Sequence, residues 1–289
     1  MGSRLKKNFN KIFPTEIISD ILTRLPTESV LECKLVCKTW MNLIQHSSFP
    51  QMHLSRLNHP DSTESGKLRY VYLKSDDDDD DYDRNNHLSY FEFNDIEDWN
   101  YVKPIYRKII FRTKCEAYII IGSLNGLVCM YGAQPDIPDT RGPAIVFNPV
   151  TKEYVVLPEF KTFPEYETKG LKSIEHFHEA CGFGYLASTN EYKVVRIYTV
   201  RGALNSVEVE EYAVGSGKGW RHVGKFDFGF RFYAHPEQTH GVFLNECLHW
   251  RDSIGRMVLV FDQANEKFRD RIPPPPMLTE TDDDSGDDG

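Results

Sequence analysis

The sequence predicts a mainly β protein with a small N-terminal α unit, and three observations carry that prediction. Apolar residues recur at helical spacing between residues 13 and 40. Short runs rich in aromatic and β-branched residues, bounded by turn-forming residues, then succeed one another from residue 69 to residue 272. Phrases of this second region repeat along the chain. At 289 residues, with 40% hydrophobic and 13% aromatic residues, the chain has material for one large core and an appendage.

The helical stretch runs FPTEIISDILTRLPTESVLECKLVCKTW, from Phe13 to Trp40. Pro14 suits a first helical turn, and Ile17, Ile18, Ile21, Leu22 and Leu25 share one broad face. Pro26 ends that helix and Thr27 is placed to cap a second. Val30, Leu31, Leu35, Val36 and Trp40 continue the apolar pattern through the second helix into a third. A unit of about 40 residues is too small to be stable alone, so its apolar surface calls for a partner. Phe49 to Leu57 adds one more helical turn, and Asn58 to Gly66, with Pro60, reads as a linker.

Strands are expected at Arg69–Leu73, Leu88–Phe93, Tyr118–Ile121, Leu127–Tyr131, Ala144–Phe147, Tyr154–Leu157, Tyr192–Tyr198, Val207–Val214, Val242–Leu244, Leu248–Trp250 and Met257–Phe261. Leu124-Asn125-Gly126 before Leu127 matches Leu244-Asn245-Glu246 before Cys247. Val146-Phe147-Asn148, followed by Tyr154 and Leu157-Pro158, matches Val260-Phe261-Asp262, followed by Phe268 and Ile272-Pro273. A looser copy holds Gly182-Phe183-Gly184-Tyr185, Tyr192-Lys193-Val194-Val195, Tyr212 and Trp220. Each copy is a pair of hairpins, the content of a propeller blade, which cannot bury its two faces without neighbours.

Phe13-Pro14-Thr15-Glu16-Ile17, Ile21-Leu22-Thr23-Arg24-Leu25-Pro26 and Val36-Cys37-Lys38-Thr39-Trp40 together resemble the three-part pattern of the F-box. That family more often carries Leu at the place of Phe13 and a basic residue near Glu28. The resemblance implies a three-helix unit binding the Skp-type linker of a cullin–RING ubiquitin ligase. The linker-binding residues it implies are Phe13, Pro14, Ile17, Ile18, Ile21, Leu22, Leu25, Pro26, Leu31, Val36, Cys37 and Trp40. Downstream, Gly122 to Leu127, Asn148-Pro149 to Leu157-Pro158, Gly182 to Tyr185, Trp220, and Gly241 to Trp250 resemble the kelch-like F-box-associated domain of plant F-box proteins.

On these resemblances the domains expected are an F-box helical domain at 9–54, a linker at 55–66, a kelch-like β-propeller domain at 67–272, and a Pro/Asp-rich disordered tail at 273–289. The family normally continues through further strands, which leaves two expectations open: either 257–261 and 69–73 meet and close the ring, or the ring is incomplete and one of these strands keeps an open edge. The implied function is that of a substrate-recognition subunit of an SCF-type ubiquitin ligase, a non-catalytic adaptor that needs no cofactor. The alternative is a stand-alone propeller, binding protein or enzyme, acting on a carbohydrate.

Charge and composition narrow the partners. The net charge of −9 is concentrated in Asp76 to Asp83 and in the tail from Glu280, while residues 1–56 carry eight Lys/Arg against four Asp/Glu. Acidic blocks of this kind are expected to be solvated rather than to cage Ca²⁺. Without a basic stripe beyond Arg4, Lys6, Lys7 and Lys11, nucleic acid is not the expected partner. No apolar run of spanning length occurs, MGSRLKKNF lacks the apolar stretch of a secretory signal, and Lys6 stands where a myristoylation pattern needs Ser or Thr. Six scattered cysteines and no Asn-x-Ser/Thr acceptor point to a reducing compartment, cytoplasmic or nuclear.

Motifs for chemistry fail on context. Gly215-Ser216-Gly217-Lys218-Gly219 lacks the earlier Gly, the Ser/Thr after Lys and the helix of a phosphate loop, and reads as a hairpin turn. His176, His178 and Cys181 have no fourth ligand at zinc spacing, and with Glu175 and Glu179 they read as an exposed loop. Cys33 and Cys37, one helical turn apart, read as small core residues.

Overall fold

A computed structural model describes residues 13–59, 69–74, 87–92, 107–110, 117–133, 141–159, 178–199, 205–232, 240–253 and 257–274. The acidic run from Asp76, the tail, Glu175 and His176 lie outside the described residues. The chain divides into two compact units, residues 1–112 with 148–153, and residues 113–147 with 154–289.

The first unit holds four helices, α1 (Thr15–Thr23), α2 (Thr27–Cys33), α3 (Lys38–Gln45) and α4 (Phe49–Leu57), and a three-stranded sheet of β1 (Arg69–Lys74), β2 (His87–Glu92) and β3 (Arg107–Ile110). Pro14 and Pro26 both sit just before a helix in extended conformation, with ψ of 151° and 149°. Each offers its carbonyl to the helix behind it: Ile18 N–H donates to Pro14 O at 3.2 Å and Val30 N–H to Pro26 O at 3.0 Å. Pro26 therefore holds the capping position expected for Thr27, which is already helical and makes no side-chain cap bond.

The helix ends at Cys33, so Cys33 and Cys37 are not one turn apart on one helix, and Cys37 stands in extended conformation ahead of α3. Between them Leu35 and Val36 are exposed, not part of a continuous apolar face. α4 spans nine residues rather than the single turn expected, with Pro50 in its first turn and Phe49 and His53 buried on one face. The core of the helical part is Ile18, Leu22, Val30, Ile44 and Phe49.

Among the described residues, the second unit holds three four-stranded antiparallel meanders. The first is β4 (Ala117–Leu124), β5 (Leu127–Ala133), β6 (Arg141–Phe147) and β7 (Tyr154–Val156). The second is β8 (His178–Leu186), β9 (Glu191–Thr199), β10 (Val207–Ala213) and β11 (Arg221–Phe226). The third is β12 (Val242–Leu244), β13 (Cys247–Arg251), β14 (Val258–Asp262) and β15 (Lys267–Phe268).

The repeated phrases are repeated turns. Asn125 (φ 53°) with Gly126 (φ 77°), and Asn245 (φ 50°) with Glu246 (φ 59°), make the same two-residue hairpin connection with both residues left-handed. Asn148 Oδ1 accepts from the N–H groups of Val150 (2.9 Å) and Thr151 (3.1 Å), and Asp262 Oδ1 from those of Ala264 (3.0 Å) and Asn265 (2.9 Å). The glycine-rich stretch after β10 is the expected hairpin turn, with Gly215, Gly217 and Gly219 all at positive φ.

Neighbouring blades pack face to face. Phe183, Val194 and Tyr212 of the second blade meet Tyr131, Ala144 and Val146 of the first, while Val195, Ile197 and Val209 meet Leu248, Trp250 and Phe261 of the third. The approach is close at β8, where a Cβ on Gly182 would lie 2.8 Å from Leu248 Cδ2 and 3.1 Å from Trp250 Cζ2. Trp250 Nε1 donates to Cys181 O (3.3 Å) and Trp220 Nε1 to Pro158 O (2.8 Å), so each tryptophan stitches one blade to the preceding one.

Two expectations are corrected here. β14, expected as an edge strand, is paired on both sides, to β13 and β15. The stretch read as an exposed loop around His178 is instead the first strand of the second blade, with Cys181 and Glu179 buried.

Candidate functional site

Two places hold functional-type residues, the outer face of the helical part and a polar network in the second blade. In α1 the predicted apolar face splits into adjacent stripes, because successive residues turn by about 100°. Ile18 (6% exposed) and Leu22 (1%) face the helical core, whereas Ile17 (47%) and Ile21 (48%) stay in solvent. Phe13 continues the outer stripe and Pro14 is exposed with it.

The twelve predicted linker-binding residues therefore divide. Phe13, Pro14, Ile17, Ile21 and Val36 are exposed, and Leu25, Pro26, Leu31, Cys37 and Trp40 are half-buried. Ile18 and Leu22 are corrected from contact residues to core residues, since the four short helices need both to cover Val30, Ile44 and Phe49. Leu35 and Met52, absent from the predicted set, are exposed as well. Their signal was weak: Leu35 follows the end of α2, where helical periodicity no longer tells which way a side chain faces.

Polar contacts fix the outer face. Asp20 accepts from Arg24 Nε (3.0 Å) one turn along α1 and also from Arg56 of α4. The Arg24 hydrogen bond, helped by the charges of both guanidinium groups, holds the Asp20 carboxyl below its usual range, although partial desolvation opposes this. His53 Nε2 lies 2.8 Å from Leu25 O, and its ring stacks on Phe49 with centroids 5.8 Å apart.

In the second blade, Arg196 Nε donates to Glu179 Oε2 (2.6 Å) and Nη1 to Glu210 Oε2 (3.1 Å), while Tyr198 OH donates to Glu208 Oε2 (3.2 Å). Burial pushes the Glu210 carboxyl up against the opposing pull of Arg196, and burial with the Glu210 and Glu208 carboxylates pushes the Tyr198 phenol up. The Arg196 guanidinium, which burial alone would lower, is raised by Glu179 and Glu210. Glu210 faces Arg196 and Glu208 faces Tyr198 in register across β10 and β9, while Glu179 reaches Arg196 diagonally from β8, so the network ties β8, β9 and β10 together. It braces the sheet of the second blade.

The described residues hold four-stranded antiparallel blades in one unit and, in the other, short helices that bear an exposed apolar stripe. Residues 82–284 match the F-box associated beta propeller domain, and residues 12–51 match the F-box domain. The chain belongs to the F-box proteins that carry an F-box associated β-propeller domain. Curated relatives in Arabidopsis thaliana include an F-box/kelch-repeat protein, 24% identical over 262 residues that cover 89% of this chain and 64% of the relative. Two further F-box proteins of the same plant are 24% identical (91% of this chain, 60% of the relative) and 26% identical (88% and 58%). The chain thus spans less than two thirds of the length of these relatives. Among the described residues no helix is long and apolar enough to cross a membrane.

Proposed function

We propose that the chain is the substrate-recognition subunit of an SCF-type ubiquitin ligase. The helical part docks on a Skp-type linker and through it on a cullin–RING ligase, and the blade domain holds a target protein. The observation that carries this reading is the exposed stripe of Phe13, Ile17 and Ile21 on a unit whose residues match the F-box. Large apolar side chains left in water beside a complete small core are what a docking surface requires.

In this reading the chain does no chemistry. It raises the local concentration of target lysines near a ubiquitin carried by other subunits, and proximity supplies the rate. The buried network around Arg196 supports an adaptor role by stiffening the sheet between two others. The proposed compartment is cytoplasmic or nuclear, where such ligases work.

The reading is tested by co-purification. The tagged chain should retain a Skp-type linker and a cullin, and Ile17→Asp with Ile21→Asp should lose both while keeping target proteins on the blade domain. Recovery of neither linker nor cullin by the wild-type chain would overturn it.

A further inference from the structure

We propose that His53, on the helix that runs past the end of the F-box match, is a positioning residue for linker docking: it locks the Leu25-Pro26 corner between α1 and α2. This rests on the adaptor reading above. The corner is a weak point in the backbone. The ladder of α1 closes with Arg24 N–H on Ile21 O and Leu25 N–H on Leu22 O, and the ladder of α2 begins at Pro26 O, which takes Val30 N–H. The carbonyl of Leu25 falls between the two ladders, and Pro26 has no N–H to donate. A carbonyl in that position turns toward whatever donor is near, and the corner turns with it.

His53 supplies the donor from α4. Its Nε2 stands 2.8 Å from Leu25 O, which can only accept, so the ring carries its proton on Nε2. The ring is buried and stacked on Phe49 at an interplanar angle of 15°, and Phe49 belongs to the core of the helical part, so the donor has little freedom of its own. Arg56, one turn further on, bonds Asp20 on the outer face of α1. α4 is thereby tied to α1 at two levels, at its middle and at its end. Residues 52–57 lie beyond the F-box match, which stops at 51, so this clasp is a feature of the present chain's flank.

The test titrates the full chain with a purified Skp-type linker. His53→Phe keeps a ring on Phe49 and removes the donor, and is expected to weaken binding about tenfold, as the loss of one hydrogen bond at a half-buried corner would. His53→Gln, whose amide reaches a similar distance, is expected to recover most of that loss, which a purely space-filling role would not allow. In the wild-type chain, long-range ¹H–¹⁵N spectra should show the His53 ring protonated at Nε2, a readout that does not depend on any variant folding. Protonation at Nδ1 alone, or equal affinity of wild type, Phe and Gln variants, would overturn the positioning role while leaving the adaptor reading intact. Absence of binding by the wild type would bring down both.

Discussion

In α1 the apolar residues part company, Ile18 and Leu22 turning inward while Ile17 and Ile21 remain in water; in β9 both faces are covered, Val194 by the first blade, Val195 and Ile197 by the third. The difference follows from the number of neighbours. Among the described residues, four short helices enclose a single core and leave the outer face of α1 uncovered. A strand in the middle blade has a sheet on either side, so even its charged residues must be paired, as Lys193 is with Glu211 at 3.0 Å. Apolar residues therefore serve stability in the blades and remain available for binding on the helices. Substitutions should separate the two roles.

The largest loss of stability is expected at Trp250, which fills the space against Gly182 and donates to Cys181 O. Trp250→Ala should cost about 3–5 kcal/mol in chemical denaturation of the blade domain and leave linker binding unchanged. Gly182→Ala attacks the same joint from the other side. Its new Cβ would meet Leu248 Cδ2 at 2.8 Å, and the expected cost is about 1–3 kcal/mol. A neutral result would mean that the second and third blades can slide apart.

The matched hairpins allow a finer comparison. Gly126 at φ 77° has open space around it, so Gly126→Ala should cost only the left-handed backbone, about 1 kcal/mol. Glu246 holds the equivalent place at φ 59°, and its Oε1 accepts from Ala187 N–H at 3.0 Å. Glu246→Gly should relax the backbone and lose that inter-blade bond, leaving stability nearly unchanged by thermal melting. A clear gain would show that the bond contributes nothing.

Acid separates the turns too. Burial opposes ionisation of Asp262, but hydrogen bonds from Asn265 and Arg269 outweigh it and bring the carboxyl down to about 2. A carboxyl lowered by folding stabilises the fold above its unfolded value near 3.8 and loses that contribution as pH falls through about 2. Asp262→Asn should therefore flatten the stability profile between those two values. Asn148, which makes the matching turn in the first blade, carries no such charge, so Asn148→Ala should leave the pH profile in place.

Much of this architecture was legible because the blades repeat. The paired Leu-Asn turns and the Asn148 and Asp262 turns mark where strands end, and eleven of the fifteen strands among the described residues lie where the sequence pattern placed them. The strand from His178 was obscured by its own polar residues, since burial of Glu179 depends on Arg196, a partner seventeen residues away that local pattern does not reveal. The alternating phenylalanines of Phe226-Asp227-Phe228-Gly229-Phe230-Arg231-Phe232 were equally hidden. From the last residue of β11 onward they pack on the core between the second and third blades, Phe226 and Phe228 each edge-on to Phe268 at 4.8 Å.

On the helices, period identified the apolar face of α1 but not which stripe the other helices would cover. That depended on α4, which supplies Phe49 to the core and carries the exposed Met52 and the buried His53. A face read as one surface turned out to be half core and half contact.

In the adaptor reading, the outer stripe of α1 binds a partner and does not hold the fold. Calorimetric titration of a purified Skp-type linker into the full chain, for wild type and for Ile17→Asp with Ile21→Asp, tests it most directly. The prediction is a one-to-one complex for wild type and at least a hundredfold loss for the variant, the size expected when anchors worth about 2 kcal/mol are removed, with the thermal midpoint of the variant unchanged. Equal affinity of the two proteins, or a variant that fails to bind only because its helices have melted, would contradict it.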